Sequence, residues 1–88
     1  VTIQIVKNPK PRESLAIQPI YVRVGAQIAR TRHFLGITQI ALAKRIGISR
    51  QALNNIEAGR SRLQLHHIDE AATALKVKPT ELLRGIWV

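Results

Sequence analysis

Four side chains in the stretch SRQALNNI carry planar heads able to make paired hydrogen bonds: Arg50, Gln51, Asn54 and Asn55. A guanidinium presents a fork of donors, and a carboxamide sets a donor beside an acceptor. Their natural partners are flat groups with adjacent hydrogen-bonding atoms. Nucleobase edges are such groups: arginine matches guanine, and glutamine or asparagine matches adenine. The spacing sorts these residues onto one side of a helix. Arg50, Gln51, Asn54, Asn55 and Ala58 follow the order i, i+1, i+4, i+5 and i+8, whereas Leu53 and Ile56 turn to the opposite side. One face is for packing and the other is left to bond something else.

The charge indicates what that something is. Among 88 residues, 14 Lys and Arg stand against 5 Asp and Glu, a formal net charge of +9. The excess is local. Between positions 23 and 62 lie Arg23, Arg30, Arg32, Lys44, Arg45, Arg50, Arg60 and Arg62, with Glu57 as the one acid. From Leu63 onward Lys76, Lys78 and Arg84 balance Asp69, Glu70 and Glu81. One sign concentrated around hydrogen-bonding residues is the footprint of a polyanion partner.

Short helices must position these groups. Val24 and Ile28, with Leu35 beyond them, repeat at helical spacing and predict a first helix from about Val22 to Phe34, ended by Gly36. Thr38 is a good N-cap for a second helix, Gln39 to Ile46, which Gly47 ends. Ser49 caps a third, Arg50 to about Ala58, closed by Gly59. Only Gly47, Ile48 and Ser49 separate the second from the third, the spacing of a helix-turn-helix. Leu65, Ile68, Ala72 and Leu75 define the packing face of a fourth helix. Pro79 suits the first position of a fifth, which runs to about Arg84, with Glu81 near its positive end.

Residues 1–21 read as an arm or linker. VTIQIV alternates as a short β-strand would, with Ile3 and Ile5 on one side, and the NPKPR run that follows is extended and exposed. The expected fold is therefore all-α: a five-helix bundle over residues 22–84, an extended N-terminal arm, and an apolar tail at residues 85–88.

Several features together resemble a known family. Gly25, Ile28 and Arg32 on the first helix; the run GITQIALA from Gly36 to Ala43; IGIS from Ile46 to Ser49; IEAG from Ile56 to Gly59; Ala72, Ala74, Leu75 and Val77; and Pro79, Glu81, Leu82 and Leu83 are similar to the Cro and phage-repressor helix-turn-helix proteins, the Xre family. The resemblance covers Val22 to about Arg84 and implies a lambda-repressor-like domain on double-stranded DNA. It implies that the third helix reads bases through Arg50, Gln51 and Asn55, with Asn54 beside them. It places phosphate contacts on Gln39, Ser49, Arg60, Ser61 and Arg62, implies that Gln39 also braces the third helix, and implies that Arg32 and Glu57 form an internal ion pair beneath it. It further implies a homodimer on a two-fold operator, since one such domain reads few bases. Three positions depart from the pattern: Ile40 and Ala41 stand where acids or amides are usual, and Ala58 where Asn or Arg is common.

The dimer or partner surface is expected among Ile3, Ile5, Ile40, Ile86 and Trp87. The function expected is that of a sequence-specific transcriptional regulator, a repressor. The alternative is an antitoxin whose arm holds a toxin while the helices bind the operon's own DNA. No nucleophile–base–acid set or glycine-rich phosphate loop suggests an enzyme, and no cofactor is implied. The absence of Cys removes disulfides and thiolate metal sites. His66 and His67 are neighbours on a helix and point about 100° apart, which is poor metal geometry. No apolar run approaches the roughly 18 residues of a membrane span, and a cytoplasmic protein is expected. The chain begins at Val1 and contains no Met, so its first residue reads as processed or trimmed.

Overall fold

The computed structural model describes residues 19–87, and these form five helices in the order Pro19–Phe34 (α1), Gln39–Ile46 (α2), Arg50–Glu57 (α3), Leu65–Leu75 (α4) and Pro79–Leu82 (α5). The arm strand carrying Ile3 and Ile5, the NPKPR linker and the toxin-binding reading built on them lie outside the described residues, as does Val88.

Each boundary has a local cause. Thr38 has extended backbone, and its hydroxyl accepts from the Ala41 amide at 3.0 Å. Ser49 does the same for Ala52 at 3.0 Å. Each bond satisfies an amide that the first turn of a helix leaves without a partner. Gly47 ends α2 at φ 89°, a left-handed conformation that a side chain would strain. That conformation lets the chain reverse within three residues and sets α3 across α2. Gln64 and His67 cap α4 reciprocally, and the Gln64 amide donates to His67 Nδ1 at 3.2 Å. Pro79 opens α5 at a position that needs no amide donor.

The core is aliphatic. Val24, Ile28, Leu42, Leu53, Ile56, Ala72, Leu75 and Leu82 meet at its centre, with Ile46, Ile48, Leu63 and Ile68 packed around them. Gly25 lets α1 approach α3 closely, because a Cβ there would overlap the Ile56 carbonyl oxygen and lie 2.9 Å from that of Glu57. Gly59 does likewise at the other end of the contact: a Cβ there would sit 2.6 Å from Val22 Cα. α3 is thus seated on α1 by backbone contact.

Four expectations need correction. Pro19 starts α1 instead of breaking an arm, so residues 19–21 are helical. Ile86 is 4% exposed and belongs to the core, not to a partner surface. It packs there because the turn after α5 folds back, and Arg23 Nη1 holds its carbonyl at 3.0 Å. Leu65 is 84% exposed; half-buried Leu63 fills the position ahead of α4 instead. Leu35 lies past the end of α1 and is also exposed.

Candidate nucleic-acid interface

Beneath α3 lies a buried polar network. Arg32 Nε and Nη2 donate to the two carboxylate oxygens of Glu57 at 2.7 and 3.0 Å, with side-chain exposures of 8% and 6%. Arg32 Nη1 donates to the Ile37 carbonyl at 2.9 Å, tying the α1–α2 loop to the same centre. Gln39 Nε2 donates to Glu57 Oε1 at 2.9 Å and to Asn54 Oδ1 at 3.3 Å. One carboxylate therefore joins α1, α2 and α3. No described buried side-chain nitrogen or oxygen lacks a partner, so the desolvation of these charges is offset by bonds on every side.

Of the two roles expected of Gln39, this geometry bears on the bracing one. Both of its amide hydrogens point inward, to Glu57 and Asn54, and a phosphate needs a donor. As placed, the Gln39 side chain ties α2 to α3. Asn54 is drawn into the same bracing and is half-buried.

Above α3 the arrangement is open. Arg50 and Gln51 are exposed on its first turn, and Asn55 is half-buried one turn later. Asn55 Oδ1 accepts from Gln51 Nε2 at 3.4 Å and from Arg60 Nε at 3.3 Å. This leaves the Asn55 Nδ2 hydrogens as its available donors. Ser49 Oγ is used as the cap acceptor, so its hydroxyl hydrogen remains to donate outward. Arg60 and Arg62 are exposed and Ser61 is half-buried in the loop after α3. The Arg60 amide is fixed by the Asn55 carbonyl at 2.9 Å, which sets where that loop leaves the helix.

The sequence indicated the residue types of this face but not its bonding. The Gln51–Asn55–Arg60 chain had one available signal, the i, i+4 spacing of Gln51 and Asn55. Arg45 was read as part of the general positive field; its Nη1 donates to the Ala74 carbonyl at 3.1 Å and ties α2 to the end of α4. Ile40 is 61% exposed beside Gln39, and Trp87 is exposed near the chain end. Among the described residues no His, Cys, Asp and Glu group has the makings of a metal site, and no helix is long and apolar enough to cross a membrane.

Comparisons with known proteins agree with this architecture. The helix-turn-helix family profile matches residues 35–82. The restriction-modification controller protein C.AhdI from Aeromonas hydrophila is 32% identical with a TM-score of 0.68, over 70% of this chain and 94% of that one. The clp gene regulator ClgR from C. glutamicum (23% identity, TM-score 0.72, 73% of this chain and 83% of that one) has the same fold. So does the hypothetical transcription factor NHTF from Neisseria, at 22% identity and a TM-score of 0.67 over 93% of this chain and 88% of that one. Comparison with curated proteins gives no match. With its three-residue turn, capped α3 and outward-facing Arg, Gln and Asn side chains, this chain belongs to the Xre/Cro-like helix-turn-helix family of DNA-binding transcriptional regulators.

Proposed function

We propose that this chain is a sequence-specific repressor that binds a two-fold operator as a homodimer. One observation carries the reading: α3 buries Leu53 and Ile56 and turns Arg50, Gln51 and the Asn55 amide outward from a rigidly braced base. In the major groove Arg50 reads guanine, while Gln51 and Asn55 read adenine or a similar donor–acceptor edge. Asn54, held by Gln39, contributes less. Ser49, Arg60, Ser61 and Arg62 flank these readers and bond phosphates, which fixes register without reading sequence. The similarity to a restriction-modification controller supports a role in transcriptional control. Repression follows from occupying a promoter that the polymerase also needs. With Ile86 in the core, exposed Trp87 and Ile40 are the described apolar candidates for the dimer contact.

Selection of sites from random duplex DNA, followed by footprinting and stoichiometry, tests the whole reading. The expected winner has two inverted half-sites about 34–36 Å apart, or a multiple of that, bound by two chains. No enrichment over random sequence would remove the base-reading role. A single unrepeated site bound by one chain would remove the dimer.

A further inference from the structure

The side of α1 that faces away from α3 carries a pattern the DNA reading does not use. Gly25, Ile28 and Arg32 lie against α3 and the core. Arg23, Gln27, Arg30 and Phe34, at i, i+4, i+7 and i+11, form a stripe on the opposite side of the same helix. This stripe runs along α5. Gln27 Nε2 donates to the Glu81 carbonyl at 3.2 Å, and Arg23 Nη1 to the Ile86 carbonyl at 3.0 Å. Between the helices lie two adjoining depressions of about 370 and 380 Å³ that share Gln27, Arg30 and Arg84. Phe34, Leu35 and Val77 line one of them, and Val22 and Ala26 line the other.

Two properties of this groove call for a partner. The chain has one Phe, one Trp and one Tyr, and its Phe is 87% exposed on the groove wall. A well-exposed aromatic beside aliphatic walls is the composition of an interface core. Its rim is cationic: Arg23, Arg30 and Arg84 are exposed, opposed by Glu81, which stands 3.6 Å from Arg84. An apolar floor under a positive rim matches an acidic segment that carries an apolar anchor.

Charge also separates the possible occupants. A second copy docked here would bring together two rims that each carry three arginines against one glutamate, a net like-charge contact that costs affinity. The N-terminal arm carries Lys7, Lys10 and Arg12 against Glu13, a net positive charge that does not complement the same rim. Duplex DNA would gain from the arginines but not from Phe34, Leu35 and Val77, and the stripe faces away from the reading helix. We infer that the α1–α5 groove docks an acidic protein segment with a leucine or aromatic anchor, on a face separate from the DNA interface.

Panning a displayed random-peptide library against the full chain tests this. Enriched peptides should combine Asp or Glu with Leu, Phe or Trp, and should shift the amide resonances of Arg30, Phe34 and Arg84 in the unmodified protein. Arg30→Glu combined with Arg84→Glu should weaken their binding by about tenfold or more, and so should Phe34→Ser. Both variants should keep the circular dichroism, and Phe34→Ser, which changes no charge, should also keep the affinity for duplex DNA. The inference is overturned if the enriched peptides compete with DNA and shift Arg50 and Gln51 instead, since they would then be DNA mimics. It is equally overturned if the groove variants change the sedimentation of the protein without changing peptide binding, which would make the groove a contact between copies. Binding of anionic lipid vesicles through Phe34, with no acidic peptide enriched, would assign the groove to a lipid surface and also overturn it.

Discussion

The recognition helix has two polar edges built from the same residue types, and they behave as different materials. On the inner edge, Arg32 and Gln39 meet Glu57, with Gln39 also reaching Asn54, and the buried arginine–carboxylate bonds measure 2.7 and 3.0 Å. On the outer edge, Gln51, Asn55 and Arg60 touch at 3.3 and 3.4 Å in or near solvent. The inner bonds to Glu57 end on a carboxylate and are charge-assisted, so they are short and strong. The outer bonds end on a carboxamide oxygen and exchange with water at little net cost. A side chain that must bond a base edge has to release its present partner first. Weak contacts orient such groups without holding them back; strong ones would compete with the ligand.

The largest effect should come from the inner edge. Arg32→Ala leaves the Glu57 carboxylate buried without its main partner and should remove about 3–5 kcal/mol of stability, read from denaturant unfolding. The double variant Arg32→Met, Glu57→Leu replaces the pair with apolar bulk and should recover most of that loss. A single variant within about 1 kcal/mol of the wild type would mean the pair is effectively solvated, and the contrast between the edges would fail.

Gln39 sits at the junction of the two edges and sharpens the comparison. Its bond to a carboxylate predicts a loss of roughly 1.5–3 kcal/mol for Gln39→Ala in the same unfolding measurement. If stability is unchanged while binding to every DNA sequence weakens, the side chain belongs to the phosphate surface and its inward bonds are incidental.

Outer-edge readers should show the reverse profile. Arg50→Ala or Gln51→Ala should each lower discrimination between operator and mismatched DNA by about 1–3 kcal/mol, with circular dichroism and unfolding midpoint unchanged. Lost helicity in either variant would make these residues structural and put them on the wrong edge.

The two edges were not equally legible in the sequence. Local chemistry set the helix-turn-helix: the Thr38 and Ser49 caps and the left-handed Gly47 act within a few residues, so their types and spacing identify them. The packing face of α3 was legible for the same reason, since Leu53 and Ile56 sit at helical period. What depended on docking was not. Ile86 lies four residues after Leu82, a register that could have placed it in the core, but the fold-back that continues the register is a tertiary event. Pro19 reads as a break or as a first turn according to whether residues after it find a core, and here Val24 and Ile28 do. The resemblance gave Gln39 both a phosphate and a bracing role, because its spacing cannot say which of two nearby acceptors its amide finds. That depends on the position of Glu57, fifteen or more residues away in sequence and adjacent in space.

The smallest effect belongs to Arg60, where the outer edge meets the phosphate backbone. Arg60→Ala removes an exposed side chain and should change stability by less than about 0.5 kcal/mol. It should weaken specific and random DNA alike and reduce the slope of log affinity against log salt by about 0.9, the value of one neutralised phosphate. Arg60 has a second feature, its Nε donated to Asn55 Oδ1 at 3.3 Å. If that bond orients Asn55 for reading, Arg60→Lys should restore the salt slope, because the charge returns. It should not restore discrimination at the base Asn55 reads, because an ammonium on a flexible stem does not reproduce the guanidinium fork. Full recovery of both by lysine would make Arg60 a point charge only, and would leave Asn55 oriented by Gln51 and the helix itself.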